Sequence, residues 1–151
     1  MKNNTDSELV VLVNIVNFTR IEIPITLTVP GAVISGNLIP HSEWLHRNAK
    51  LILSQVPGLQ DYAVARTEAA ESIREQINSL INKPVSILED SKEANLDEYG
   101  VVDLTHPDFI HLENVSYLVS EKPIPDGKRY LWRGKISSVS GWAYGSFSPV
   151  S

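Results

Sequence analysis

Cysteine is missing from this chain of 151 residues, so no disulfide framework, thiolate metal site or cysteine nucleophile can exist in it. Excess positive charge is missing as well. Thirteen Lys and Arg stand against eighteen Asp and Glu, a formal net charge of −5. A chain of that sign is a poor general binder of polyphosphate, which takes clustered cations, and nucleic acid is not the expected partner. No apolar run is long enough for a membrane span, and the polar, acidic start MKNNTDSE predicts no secretory signal. The expectation is a cytoplasmic protein without a membrane partner, which the lack of cysteine also fits.

What is present is an ordinary globular composition, 42% apolar and 21% charged, with length enough for one domain and a real core. A single domain over 1–151 is therefore expected. Its charge is unevenly spread. Glu89 to Asp108 carries seven carboxylates and one lysine, and Lys122 to Lys135 carries five cations and one carboxylate. Two solvated faces account for this without a ligand.

Asp6 or Ser7 can cap a helix that sets Leu9, Leu12, Val13 and Val16 on one side, although the β-branched content also permits a strand. Val10, Val11 and Ile15 widen the stripe and predict packing on more than one side. Ile21, Ile23, Ile25, Leu27 and Val29 then alternate with polar residues and Pro24, a half-buried strand whose first part belongs on an edge or outside the ladder. Pro30-Gly31 turns the chain into AVISGNLI, where Gly36 allows a sharp bend. From Ser42 and Glu43 the period becomes helical, with Trp44, Leu45, Asn48, Leu51 and Ile52 on one face. After Pro57-Gly58 a second helix, from about Gln60 to Asn82, aligns Val64, Ala69, Ile73, Ile77, Leu80 and Ile81. The helical insertion spans about 41–83, and an acidic, mobile loop is expected at about 89–100.

Strands return in FIHLENVSYLVS. Ile110 and Leu112 share one face and Val115, Tyr117 and Val119 the other, so a bulge, or a strand crossing from one sheet to another, is expected at Glu113-Asn114. In LWRGK, Trp132 and Ile136 point to the core, Gly134 lets the strand curve, and Arg133 and Lys135 point outward. Few, short, bent strands dispose of their edges most economically by closing into a small barrel.

Catalytic constellations are hard to find. His41 and His46 are five apart, which on a helix turns them away from each other, and a zincin pair needs four-residue spacing. His106 and His111 are five apart in a strand, on opposite faces, and each histidine reads as a surface or capping residue. Asp103, His106 and Asp108 around LTHP make an acid–base reading conceivable, but such residues more often mark a turn. GKIS has Arg129 where a phosphate-binding loop needs its first glycine. No catalytic residue, metal site or cofactor is assigned. Arg129, Arg133 and Lys135 beside Tyr130 and Trp132 interleave cations with stacking rings, which keeps RNA binding as an alternative. Trp142, Tyr144 and Phe147, spaced by glycines and small polar residues, either cover the core or present a sticky surface to another protein.

The hairpin ITLTVPGAVISGNLI, the later DFIHLENVSYL, and KPIPDGKRYLWRGKISSVSGWAYGSF together resemble the gas vesicle accessory protein U family, from about Ser7 to Phe147. The resemblance implies a non-enzymatic helper of gas-filled, protein-shelled organelles, associated with vesicle assembly or clustering in the cytoplasm. It makes Ile110, His111, Leu112, Trp132, Arg133, Gly134 and Gly141 fold residues first and contact residues second. The strand order is also similar to that of Sm-like barrels, a fold analogy that by itself says nothing about RNA. The expectation is thus an α+β fold: a small bent antiparallel β-barrel, Sm-like or SH3-like, with an N-terminal helix and a two-helix insertion after the first hairpin. Its contact candidates are Trp142, Tyr144, Phe147, Arg133 and Lys135. The expected partners are further copies of the chain and gas vesicle shell or other gas vesicle proteins.

Overall fold

The computed structural model describes residues 5–81, 106–119, 122–124 and 130–146. The acidic segment 89–100, Asp103, Arg129 and Phe147 lie outside the described residues. The chain divides into two compact units, Met1–Trp44 with Pro107–Ser151, and Leu45–His106.

The first unit is built on an antiparallel sheet. Helix α1 (Ser7–Thr19) starts at Asp6, whose Oδ1 accepts from the amides of Glu8 at 2.9 Å and Leu9 at 3.3 Å. A carboxylate there satisfies amides that have no partner inside the helix. The helix stops at Arg20, which takes a left-handed conformation, φ 63°, and donates its N–H back to the Val16 carbonyl. Strands β1 (Ile23–Val29) and β2 (Ala32–Leu38) follow as the expected hairpin, turning at Gly31 with φ 81°. A side chain is disfavoured at that angle, and Pro-Gly supplies the turn directly.

Strands β3 (Phe109–Val119), β4 (Lys122–Ile124), β5 (Leu131–Lys135) and β6 (Gly141–Tyr144) complete the sheet, with a 3-10 turn at Ile136–Ser138. The order is β4-β3-β2-β1-β6, with β5 paired to β3 off this path. Along one side of β3, β5 covers Phe109–Glu113 and β4 covers Tyr117–Val119. At the far edge β6 pairs with β1 from Ile25 to Thr28, which leaves Pro24 beyond the end of that ladder.

The expected closed barrel is not what forms. Among the described residues no ladder joins β6 to β4 or β5, so the sheet is open and the fold is α+β with three helices. The 3-10 turn between β5 and β6 carries the chain from one edge strand to the other without pairing them.

Of the two readings of the face switch, β3 shows the bulge and stays in one sheet. Ser35 pairs with Ser116 but Asn37 pairs with Glu113, and Asn114 sits at φ 55°. The extra residue restores the same inward face on both halves, so Ile110, Leu112 and Val115 are all buried. It also explains Gly36 better than a bend does. A Cβ there would lie 2.8 Å from the Glu113 carbonyl oxygen, a backbone atom that cannot swing aside. One continuous core follows, from Leu9, Leu12, Val13 and Val16 of α1 to Ile25, Leu27, Ile34, Leu38 and Ile136 of the sheet unit. Fully burying each such side chain contributes about 1.5–3 kcal/mol.

Among the described residues helix α1 packs on its core face, with Val10 half-buried beside it, and not on the wider expected stripe. Its core face is the expected one, but Val11 is 56% and Ile15 43% exposed.

In the second unit, α2 (His41–Gln55), which begins in the sheet unit, gives way after Pro57-Gly58 to α3 (Gln60–Ile81), close to the expected limits. Gly58 has φ 103° in the turn. The buried stripe of α3 is Ala63, Ala70, Ile73 and Ile77, spaced by seven, three and four, while Val64 and Ala69 are exposed. The stripe thus runs through alanines, whose small side chains weigh little in a hydropathy pattern. No described helix is long and apolar enough to cross a membrane.

Candidate protein-contact surface

Two places in the sheet unit carry the residues singled out by the sequence, and they lie on different strands. The first is β6. Trp142 is half-buried against the core, and its indole N–H donates to Asp6 Oδ2 at 2.9 Å. Asp6 therefore caps α1 with one oxygen and holds β6 with the other. The Trp142 hydrogen bond, followed by those from the α1 amides, lowers the Asp6 carboxyl below its ordinary value. Tyr144 stands edge-on to Trp142, ring centroids 5.2 Å apart and planes at 84°, and is 70% exposed. Past the strand, Gly145 donates to the Pro24 carbonyl and accepts from Thr26 Oγ1, 2.8 and 2.9 Å, which fixes the end of β6 to β1.

The second place is where β3 meets β5. The ladder sets Ile110 opposite Gly134, His111 opposite Arg133 and Leu112 opposite Trp132. IHL and WRG, remote in sequence, are one structural element. Trp132 lays its indole over Gly134, where a Cβ would come within 2.7 Å of Cζ2, so glycine here makes room for the ring. Ile136 is buried, as expected. Arg133 and Lys135 are exposed on the outward face. Arg133 is nonetheless engaged: its guanidinium lies 3.6 Å from the Phe109 ring centroid, and its Nε donates to His111 Nε2 at 3.2 Å.

His111 is not a surface or capping residue. It is 3% exposed, stacked on His41 at 4.2 Å and 12°, with Trp44 tilted against it at 5.1 Å. The first turn of α2 is held over this face by Asn17 of α1, whose Oδ1 accepts from the His41 amide at 2.9 Å. Burial pushes the imidazole well below its ordinary value, and His41 and the Arg133 charge push the same way. Its Nε2 accepts from Arg133, so the neutral ring carries its proton on Nδ1. The spacing of His106 and His111 gave no hint of this, because the cover comes from His41 and Trp44, about seventy residues earlier. His41, read as a capping or surface residue, opens α2 and is half-buried.

The remaining candidates stay apart. His106 and Asp108 are both exposed, and the Asp108 carbonyl accepts from the Ile136 amide in a structural bond. Among the described residues no group of three His, Asp or Glu is placed to hold a metal ion. What the geometry offers is an exposed ring on a short edge strand and, separately, a buried polar stack where β3 meets β5, with no reacting pair among the described residues.

No curated protein and no solved structure matches the chain. A family model does, described as gas vesicle protein GvpU-like and aligned over residues 6–147. The match runs from the Asp6 cap through the β3–β5 ladder to the aromatic end, and the chain belongs to the gas vesicle protein GvpU-like family.

Proposed function

We propose that the protein is a non-enzymatic accessory of gas vesicles, acting in their assembly or clustering through protein contacts and self-association. The observation that carries the reading is Tyr144, an aromatic ring 70% exposed on the four-residue strand β6 and braced by Trp142. Exposed rings held rigidly are the side chains from which protein interfaces draw most energy. Trp142 fixes the presentation, and Phe147 continues the aromatic series in sequence. Lys135, exposed on β5, would add weak, salt-sensitive contacts, and many weak contacts per vesicle suffice for clustering. The partners are shell or other gas vesicle proteins and further copies of the chain, in the cytoplasm.

The Sm-like reading of the fold belongs to the same proposal. It is supported by a final strand that returns to β1 after a 3-10 turn. Binding of RNA gains nothing from the geometry, since Arg133 is committed to Phe109 and His111.

Gas-filled vesicles float, which makes the test direct. Purified vesicles mixed with the protein and centrifuged should carry it to the surface. Tyr144→Ser should reduce the floated fraction about tenfold at limiting protein, as loss of an interface anchor does. Equal flotation of both proteins, or none of either, would refute the reading.

A further inference from the structure

Among the described residues His111 is the one titratable side chain that is buried. It lies on the opposite side of β3 from Ile110 and Leu112, so the core packed against α1 does not include it. Its cover is the first turn of α2, where His41 stacks on it and Trp44 tilts against it, and neither of these belongs to that core. From β5, Arg133 donates from Nε to His111 Nε2 and rests its guanidinium on Phe109. A guanidinium has no acceptor, so this contact requires Nε2 to be unprotonated. Other titratable groups follow along the same elements: Glu43, His46 and Arg47 on α2, Lys135 on β5, and Glu113 two residues on along the same side of β3. Strand β2 and helix α1 bring Asn37 and Asn17, which do not titrate.

We propose that His111 is a proton-operated latch on the first turn of α2: neutral, it holds the turn on β3, and with a proton on Nε2 it lets the turn go while the α1 core stays closed. The protonated ring carries N–H at both nitrogens, so Arg133 Nε faces a donor where it had an acceptor. A cation also stands where a neutral ring stood, between Arg133 and His41, and lifting the turn gives that charge to water. Glu43 and Glu113 would favour the proton. Burial first, then His41 and Arg133, nonetheless hold the ring well below its ordinary value. The lifted form and the unfolded chain both take up the proton, but lifting costs less because it opens none of the core on the other side of the sheet. Lifting therefore comes first as pH falls. Trp44 is also the residue at which the chain leaves the sheet unit, so the latch acts on the start of the tether to the helical unit. Different residues carry this inference than carry the gas vesicle reading, whose exposed anchor is on β6.

The tryptophans make the test local, because Trp44 belongs to the latch while Trp132 and Trp142 pack against the core. The full chain, labelled with fluorotryptophan, is followed by fluorine NMR across a pH series. The Trp44 signal should move to a solvated position as pH falls below about 6.5, and Trp132 and Trp142 should keep theirs until a lower pH. His111→Gln, which accepts from Arg133 but takes no proton, should hold the Trp44 signal in place until the whole chain unfolds. His41→Phe keeps a ring in the stack and should leave the response intact. Nitrogen NMR of the histidine rings gives a check that needs no substitution. The His111 ring should carry its proton on Nδ1 near neutral pH and take up the second over the same interval in which Trp44 moves. Movement of all three tryptophans together overturns the inference, since acid then acts only by unfolding the whole. So does a Trp44 response that survives His111→Gln or vanishes in His41→Phe, and so does a His111 ring that titrates outside the interval.

Discussion

The two units of the chain bury apolar residues in very different ways. In the sheet unit the buried side chains are large: Leu9, Ile25, Leu27, Ile34, Leu38, Ile110 and Leu112 are each at most 1% exposed. Among the described residues of the helical unit half of the buried apolar ones, Ala49, Ala63 and Ala70 against Leu45, Ile73 and Ile77, are alanine. Its large side chains Leu53, Val56, Leu59, Tyr62 and Val64, around the turn between α2 and α3, are exposed. Ladders explain the contrast. Pairing of β1, β2 and β3 fixes which alternate residues point inward, so large side chains are forced together. A helix has no such register, and where its buried positions are alanines it commits little apolar area.

Core truncation is the strongest way to break that comparison. Leu27→Ala, at the centre of β1 and fully buried, should destabilise the protein by about 2–5 kcal/mol, because the ladders on both sides keep the cavity from collapsing. Ile73→Ala, on the buried stripe of α3, should fall at the low end of that range, since neighbouring alanines leave fewer contacts to lose. Urea unfolding followed by circular dichroism measures both. An Ile73 variant as damaging as the Leu27 variant would put the denser packing in the helical unit instead.

Acid should strike the sheet unit, at His111. Its folded-state pKa lies well below the ordinary value near 6.5, through burial first and the neighbouring His41 and Arg133 second. Above that value neither state binds a proton there, and the residue contributes no pH dependence. As pH falls below it, the unfolded chain takes up a proton that the folded protein refuses. Stability then declines with a slope approaching about 1.4 kcal/mol per pH unit until the folded pKa is reached. The stack on His41 and the bond to Arg133 name what is lost. His111→Gln, which retains an acceptor for Arg133, should flatten the slope between about pH 6.5 and 5 in denaturation series. An unchanged slope would mean that the ring is not held neutral.

Most of the sheet unit was legible in the sequence because its signals are local. Pro30-Gly31 names the turn, alternation names the strands, and the face switch at Glu113-Asn114 names the bulge. Two things were not. Closure was inferred from strand count and bending, but whether edges meet depends on three-dimensional curvature that no residue type encodes. The burial of His111 depends on α2 starting over the outer face of β3, a contact set by Asn17 holding the His41 amide. Polar side chains that recruit a remote helix leave no period behind. For the contact surface, the aromatic run marked Trp142 and Tyr144, but only coordinates divide them into a tethered ring and a presented one.

The mildest test concerns the exposed side of the comparison. Leu59 lies in the turn before α3, 42% exposed, and its carbonyl rather than its side chain does the structural work by accepting from the Ala63 amide at 2.9 Å. Leu59→Ser keeps that carbonyl and gives up mostly area that water already touches. The change in stability should stay within about 0.5 kcal/mol, as for surface positions outside any packing, cap or network. A loss above about 1.5 kcal/mol would require the side chain to be covered in the protein in solution. The same measurement at several protein concentrations tells what covers it. A loss that disappears on dilution points to another copy of the chain, and one that persists points to a fold in which the helical unit buries more than alanine.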